Sequence, residues 1–163
     1  MCSTKIKPDW VCRLFHELTT SQLYAILALR SEVFVVEQKC AFQDIDGLDP
    51  RCIHLLCSAN DELVAYARIL PEGVWGPGVV SVGRLVSSPR VRGQGLGAEA
   101  MVRALSYLQS RGNRLPIKLE SQHRLERFYK RFGFESVSDP YIKDGQPHIA
   151  MVLDPTGECG AGR

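Results

Sequence analysis

The sequence contains no apolar run long enough to cross a membrane, since none approaches the roughly 18 residues that a spanning helix needs. Its opening stretch, MCSTKIKPDW, also lacks the apolar core of a secretion signal. Charge of neither sign dominates: 20 lysines and arginines against 18 aspartates and glutamates give a net charge of +2. So small an excess does not predict binding to nucleic acid or to a membrane surface. We therefore expect a cytoplasmic protein.

Cysteines with metal-binding spacing are also missing. The six cysteines form no CxxC motif and no Cys/His pattern suited to zinc, so no metal site is predicted. A chain of 163 residues does not depend on disulfides for its stability, and we expect reduced thiols. Cys12, Cys52 and Cys57 lie in apolar, strand-like runs, where a thiol behaves as a small core residue. A reactive role for Cys40, beside a predicted pocket wall, stays open.

The first half of the chain predicts a strand, a helical segment and a hairpin. A strand at residues 10–16 is followed by Thr19 and, three residues later, Gln22, which is the pattern of a capping box at a helix start. Apolar spacing then predicts one long helix or two short ones over residues 20–38. The strand-like runs CIHLLCS and ELVAYARIL, joined by ANDE, predict a β-hairpin.

The second half alternates strands and helices without an internal repeat. The nearly continuous apolar run VVSVGRLVSS predicts a central strand, and helical spacing over residues 95–111 ends at Gly112. A strand at LPIKLES, a short helix in HRLERFYKRFGF and a last strand at HIAMVL follow. The length predicts one domain, placed at residues 1–154, with a flexible tail at 155–163.

A glycine-rich loop, VRGQGLG at residues 91–97, separates the central strand from the next helix. The first N–H groups of a helix have no partner within it, and the helix dipole adds positive charge, so a strand, loop and helix in this order favour an anion. Glycine lets the backbone approach an anion closely, and Arg90 and Arg92 add positive charge. A phosphate site is therefore one interpretation of the loop, and a flexible turn is the other.

Two common phosphate loops fit this stretch poorly. A P-loop needs GK[ST], and no lysine, serine or threonine stands at those positions. Residues 95–100 match the dinucleotide pattern GxGxxA, with Glu120 at a suitable distance. However, only about forty residues follow Glu120, too few for the further βαβ units of that fold, and the preceding hairpin has no place in it.

The pattern RxxGxG, formed by Arg92, Gly95 and Gly97 after VGRLVSSP, resembles motif A of the GNAT superfamily of CoA-dependent acyltransferases. ERFYKRFGF resembles a later motif of that superfamily, in which a tyrosine follows a short helical turn. The similarity is closest to the ElaA-like branch and spans residues 29–151, in LRSEVFVVEQKCAFQDIDGLDPRCIHL, ARIL, VGRLVSSPRVRGQGLGAEAM, FYKRFGF and DGQPHIAM. It implies an α/β (α+β) GNAT fold: a mixed central β-sheet with splayed central strands, flanked by helices on both faces.

The resemblance also implies acetyl-CoA as the acetyl donor. Backbone pairing with its pantetheine arm is implied for Leu85, Val86 and Ser87. Pyrophosphate binding is implied for Arg92, Gly93, Gln94, Gly95, Leu96, Gly97 and Ala98, and a further cofactor contact for Gln122. Tyr129 matches the tyrosine that protonates the departing CoA thiolate, which a phenol with a pKa of about 10 can do. The alternative for Tyr129 is a ring packed in the core.

The sequence specifies the acceptor side less sharply. Glu37 is interpreted as a group that binds an amine or accepts its proton. We expect it to be partly buried because it follows the apolar residues VFVV. The alternative is a solvated helix carboxylate. His54, Arg68 and His148 are predicted to line the acceptor pocket. The alternatives are core histidines with satisfied hydrogen bonds and, for Arg68, a buried charge facing an acid such as Glu37, or an exposed strand position.

Two further positions depart from the pattern of the family. Glu120 stands where ElaA-like relatives carry a small residue, and we assign it no catalytic role. Lys143 stands where relatives carry an acidic residue, and the change predicts an altered acceptor preference. The stretch DIDGLD at 44–49 lacks the ligand spacing of a calcium loop and is interpreted as a polar loop over the acceptor side.

These observations predict an N-acetyltransferase that moves an acetyl group from acetyl-CoA to a primary amine. Direct attack in a ternary complex is expected, because no Ser/Cys–His nucleophile pair is apparent. The alternatives are a CoA- or acyl-CoA-binding module with weak or no catalysis, and a noncatalytic interaction domain. The expected partners are acetyl-CoA and an unidentified amine, not nucleic acid or membrane, and the resemblance implies a homodimer as one assembly state.

Overall fold

The computed structural model describes residues 7–156, which form one eight-stranded sheet with helices on both faces. The strands are β1 (Asp9–Leu14), β2 (Ile53–Ala59), β3 (Glu62–Leu70), β4 (Val80–Ser87), β5 (Ile117–Gln122), β6 (Glu135–Ser136), β7 (Tyr141–Lys143) and β8 (Gln146–Leu153). The helices are α1 (Thr20–Arg30), α2 (Leu96–Ser110) and α3 (Glu126–Lys130). Most of the predicted tail, residues 157–163, lies outside the described residues.

Helix α1 begins at the predicted capping box. Thr19 Oγ1 accepts a hydrogen bond from the Gln22 backbone N–H at 3.1 Å, and Gln22 Oε1 accepts one from the Thr19 N–H at 3.0 Å. The helix does not stop at Arg30 but continues as a π-helical segment, Ser31–Glu37, in which the Gln38 N–H donates to the carbonyl of Val33. The predicted segment 20–38 is therefore one continuous helix whose second half has a wider turn.

The predicted hairpin is formed by β2 and β3. Asn60 and Asp61 connect the two strands, and both have positive φ, at 51° and 63°. A two-residue turn with this conformation matches the right-handed twist of the paired strands, and Asn and Asp tolerate it better than most residues. The hairpin prediction is confirmed.

The strands follow the order β1-β2-β3-β4-β5-β8-β6, with β7 paired to β8. Only β4 and β5 are parallel neighbours, and they pair solely at their first residues, Val80 with Ile117 and Ser81 with Lys118. Beyond these pairs the two central strands separate, and the gap opens toward their carboxyl ends. The mixed sheet with splayed central strands is thus as predicted.

A β-bulge in β4 accompanies the separation. Tyr66 of β3 lies opposite Val86, whereas Arg68 lies opposite Gly83, so β4 contains one extra residue between these pairs. Arg84 lies in this bulge with a φ of 50°, a left-handed conformation that is uncommon for a residue with a side chain. A bulge bends its strand and increases the local twist, which explains why β4 leaves β5 at this point.

Alternate side chains of the central strands fill two cores on opposite faces of the sheet. Leu56, Tyr66 and Val86 pack with α1 and the π-helical segment. The neighbouring residues Leu55 and Ala67 pack with α2 in the larger core. Because both faces are covered, β2 and β3 are apolar along most of their length, which removes the simple alternation of a half-exposed strand.

The sequence prediction differs from the structure at both ends of the sheet. Strand β1 ends at Leu14, two residues earlier than predicted, because Phe15–Glu17 form a 3₁₀ turn. The short strand β7 was not predicted, since three residues are too few to show a period. Cys12, Cys40, Cys52 and Cys57 are free thiols, and no described helix is long and apolar enough to cross a membrane.

Candidate active site

The loop before α2 leaves the start of this helix without a cap. Gly95 is the N-cap residue, with φ 79° and ψ 7°, and no side chain bonds to the first turn. The first backbone N–H that bonds back into the helix is that of Glu99, which donates to the Gly95 carbonyl. The N–H groups of residues 96–98 precede it and therefore have no partner within the helix. Helix α1, by contrast, is capped by Thr19.

The glycines of this loop leave the space above the helix end open. A β-carbon placed at Gly93, Gly95 or Gly97 would meet no atom within 4 Å. Gly93 and Gly95 also have φ near 80°, where other residues are strained. Free N–H donors, a positive helix end and an accessible surface together fit a diphosphate group.

Arg92 is held by Glu37 in this structure. Arg92 Nη2 donates to Glu37 Oε1 at 2.8 Å and to Oε2 at 2.9 Å. The expectation that Glu37 is partly buried is wrong: its side chain is 40% exposed, and Val36 beside it is also largely exposed. Both residues lie in the last turn of the π-helical segment, of which Val33 is the buried residue.

Leu85, Val86 and Ser87 form the end of β4 that borders the gap. On one side this end pairs with β3, through Tyr66 with Val86 and Ala65 with Ser87. On the other side β4 has no strand partner beyond Ser81, because β5 has diverged. The backbone groups on that edge are free to pair with an extended ligand, as a further strand would.

Tyr129 packs its ring against the larger core, edge-on to Phe128 and Phe134. Its hydroxyl makes no hydrogen bond to a described residue, and it is not among the fully enclosed polar atoms that lack a partner. Burial raises the pKa of Tyr129 to about 12, so the phenol stays protonated at physiological pH.

Gln122 ends β5 and links three parts of the chain. Its Nε2 donates to Gln38 Oε1 at 2.8 Å, just past the π-helical segment, and its Oε1 accepts from Arg124 Nε at 2.9 Å. Gln38 also accepts a hydrogen bond from Gln146 through its carbonyl group, at 3.4 Å. The predicted cofactor contact Gln122 therefore sits in a polar junction at the carboxyl end of β5.

Glu120 and Lys143, the two positions that depart from the family pattern, form an ion pair with each other. Tyr141 also donates to Glu120 Oε1, at 2.6 Å. Burial alone would raise the pKa of Glu120, but the hydrogen bonds from Lys143 and Tyr141 outweigh it and the net pKa is lowered. Glu120 thus stays ionised, and its two partners already use both of its oxygens.

His148 of β8 lies on the same face of the sheet as this pair. It pairs with Gln122 in the sheet, and its ring lies beside that of Tyr141, with centroids 6.5 Å apart. Nδ1 is 2.9 Å from the carbonyl oxygen of Gln146. Since a carbonyl oxygen only accepts, Nδ1 carries the proton in the neutral ring, and Nε2 is left as the acceptor for a ligand.

His54 lies in the core rather than on a pocket wall. Its side chain has no exposed area, and both ring nitrogens have partners: the Tyr66 hydroxyl at 2.8 Å from Nδ1 and the Asp49 carbonyl at 3.0 Å from Nε2. Burial lowers the pKa of His54, which favours the neutral ring. The structure thus corresponds to the alternative of a satisfied core histidine.

Arg68 is also buried, and its partners are Asp46 and Asp49 rather than Glu37. The two distances are 2.6 and 2.9 Å. These aspartates belong to a network of six charges: Arg30, Arg68 and Arg84 with Asp44, Asp46 and Asp49. Arg30 has no exposed area, and the network ties residues 44–49 to α1, β3 and the bulge of β4.

This network was not predicted from the sequence. The available signal was three arginines inside apolar runs, ALRSEV, YARIL and VGRLV, together with the aspartates of DIDGLD. A buried arginine must be paired, so each such arginine predicts an acidic partner. Among residues 7–156 no group of three or more Asp, Glu, His or Cys side chains is arranged to hold a metal ion.

Comparison with known proteins gave concordant matches. The profile described as acetyltransferase (GNAT) domain matches residues 19–155. ElaA of Escherichia coli is 44% identical over 148 residues, which cover 90% of this chain and 96% of ElaA. Its crystal structure matches with a TM-score of 0.85 at 42% identity, over 91% of this chain and 100% of that one. An acyl-CoA N-acyltransferase from Pseudomonas aeruginosa matches with a TM-score of 0.83 at 43% identity, over 90% and 99% of the two chains.

Proposed function

This chain belongs to the acetyltransferase (GNAT) family, and from that membership we propose that it transfers an acetyl group from acetyl-CoA to a primary amine. The ElaA-like resemblance predicted from the sequence is confirmed, and the family supports an acyltransferase activity with an acyl-CoA donor. The acetyl group and the amine acceptor are the finer part of the proposal. The cytoplasmic location and the homodimer stay predictions from the sequence.

The observation that carries the proposal is the uncapped start of α2 beside the unpaired edge of β4. Free N–H groups at residues 96–98 and the guanidinium of Arg92 would hold the pyrophosphate. The edge of Leu85–Ser87 would pair with the pantetheine arm. These two features lie at the same end of the sheet, so one extended ligand can use both, and such a ligand is CoA.

Acetyl-CoA supplies the acetyl group in the activated form of a thioester. In the proposed reaction the neutral amine nitrogen bonds to the acetyl carbon, the C–S bond breaks, and the sulfur leaves as a thiol. Tyr129 donates the proton that the sulfur takes. Its raised pKa keeps the phenol protonated before the reaction, and the phenolate regains a proton from solvent afterwards. Glu37 accepts the proton that the amine loses, and His148 Nε2 is available to bind the acceptor.

The loop assignment is tested by an isosteric pair of variants at Gly95. Asp and Asn differ by one charge, both tolerate left-handed backbone better than most residues, and nothing lies within 4 Å of the new β-carbon. Two unit charges about 6 Å apart, at an effective dielectric constant near 40, repel by about 1.4 kcal/mol. We therefore expect Gly95→Asp to bind CoA at least about ten-fold more weakly than Gly95→Asn, measured by titration calorimetry.

Equal affinities of these two variants would contradict the pyrophosphate assignment. Turnover is measured separately, as acetyl-CoA-dependent thiol release with a panel of primary amines. Tight CoA binding without turnover on any amine would favour the binding-module alternative. Absence of thermal stabilisation by CoA would favour the interaction-domain alternative, since a ligand at 100 times its Kd adds about 2.7 kcal/mol.

A further inference from the structure

The arginine assigned to the pyrophosphate is already paired with a carboxylate. Both Glu37 oxygens accept from Arg92 Nη2, at 2.8 and 2.9 Å, and this contact joins two segments that are 55 residues apart. The two side chains remain 46% and 40% exposed, so a ligand can reach both of them. Glu37 therefore occupies a donor of the proposed CoA site.

Glu37 and a diphosphate compete for this guanidinium. Both are anions that use the same N–H donors, and they repel each other when they are close. Binding of CoA through Arg92 therefore weakens the contact with Glu37. In the structure Arg92 is the one cationic partner of Glu37 among residues 7–156, and Glu37 is followed directly by Gln38 of the polar junction with Gln122.

We propose that Glu37 couples its ion pair with Arg92 to CoA binding: it occupies the Arg92 guanidinium until the pyrophosphate of CoA takes its place, and it therefore weakens CoA binding. The inference rests on the proposed function and adds to it a residue of the chain that competes with the donor substrate. By linkage, the strength of the Glu37–Arg92 contact opposes CoA binding through Arg92, so removing the Glu37 charge must tighten CoA binding.

The chain offers a matched control in a second arginine–glutamate pair beside the same loop. Arg90 Nη1 donates to Glu62 Oε2 at 3.2 Å, through a single contact, and the two side chains are 72% and 70% exposed. Glu37→Gln and Glu62→Gln each remove one negative charge. Only the first of them frees the arginine that is assigned to the pyrophosphate.

The experiment is titration of CoA, without amine, into the wild type and these variants. We expect Glu37→Gln to bind CoA about two- to five-fold more tightly than the wild type, the range that the strength of an exposed ion pair gives. Glu62→Gln should leave the affinity unchanged. In the Arg92→Ala background Glu37→Gln should lose its effect, because no guanidinium is left to release.

Three outcomes would count against the coupling. These are an unchanged affinity in Glu37→Gln, an equal gain in Glu62→Gln, and a gain that persists without Arg92. If the wild type binds CoA and any of these results is observed, the coupling alone is overturned. A wild type that does not bind CoA overturns the proposed function, and the coupling with it.

Discussion

The buried charge network allows a demanding test of what holds residues 44–49 against the sheet and α1. Asp49 Oδ1 accepts from Arg30 Nη1 at 2.8 Å and from Arg68 Nη1 at 2.9 Å. These arginines are 0% and 3% exposed. Asp49→Asn keeps the shape of the side chain and removes its charge. Because three arginines face three aspartates, the variant leaves one buried positive charge without a counterpart.

Asp49→Asn is expected to lower the free energy of unfolding by a large amount for so small a change in the side chain. Removing one partner of a buried ion pair lowers the free energy of unfolding by about 3–5 kcal/mol. In a domain of this size each kcal/mol lowers the melting temperature by about 2–4 °C, which predicts a shift of roughly 6–20 °C. The assay is urea unfolding at pH 7, with Asp61→Asn as the control, because this exposed hairpin residue should change stability by no more than about 0.5 kcal/mol.

The effect must also depend on pH in one direction. Burial by itself would raise the pKa of Asp49, but the hydrogen bonds and charges of Arg30 and Arg68 outweigh it, so the folded-state pKa is lowered. A lowered carboxylate pKa stabilises the fold above the unfolded value of about 3.9 and loses that contribution as pH falls toward the folded value. The difference between wild type and Asp49→Asn should therefore shrink below about pH 4.

Two results would refute this reasoning. The first is a loss below about 1 kcal/mol at pH 7, which is the scale of an exposed pair and not of a buried one. The second is a difference that stays constant from pH 7 down to pH 3, because a contribution from the Asp49 charge has to titrate.

Two further predictions concern Tyr129 and Thr19. Tyr129→Phe should lower turnover by about 10²- to 10⁴-fold in the thiol-release assay and leave the Kd for CoA unchanged in calorimetry; full turnover would exclude Tyr129 as the proton donor. Thr19→Ala removes the oxygen that caps α1 and should lower the free energy of unfolding by about 1 kcal/mol in urea titration. An unaltered unfolding midpoint in that variant would show that the cap contributes nothing measurable.

Local patterns determined the elements and the loop of the candidate site. The capping box, the hairpin turn and the glycine loop each act through backbone groups a few residues apart, so the side chains that specify them stand side by side in the sequence. Thr19, Asn60 and Gly95 each lie where their conformational preference places them. For the same reason the RxxGxG pattern was enough to locate the proposed anion site.

The pairing of charges was decided only by the tertiary structure. Glu120 and Lys143 looked like two independent departures from the family pattern, yet they form one ion pair across β5 and the β7–β8 hairpin. Arg68 was correctly considered as a buried charge, but Glu37 was named as its partner, and Glu37 binds Arg92. Such partners depend on strand register, on the bulge in β4 and on the π-helical segment.

The physical reason is the range of the interactions concerned. A helix cap or a tight turn is fixed by the backbone of its own residues, whereas an ion pair needs two side chains to meet within about 4 Å from distant parts of the chain. One extra residue in β4 shifts the pairing of the strand and helps to aim Arg84 at Asp44 and Asp46. The sequence alone thus determined the family and the position of the glycine loop, and the folded chain decided which charges pair with one another.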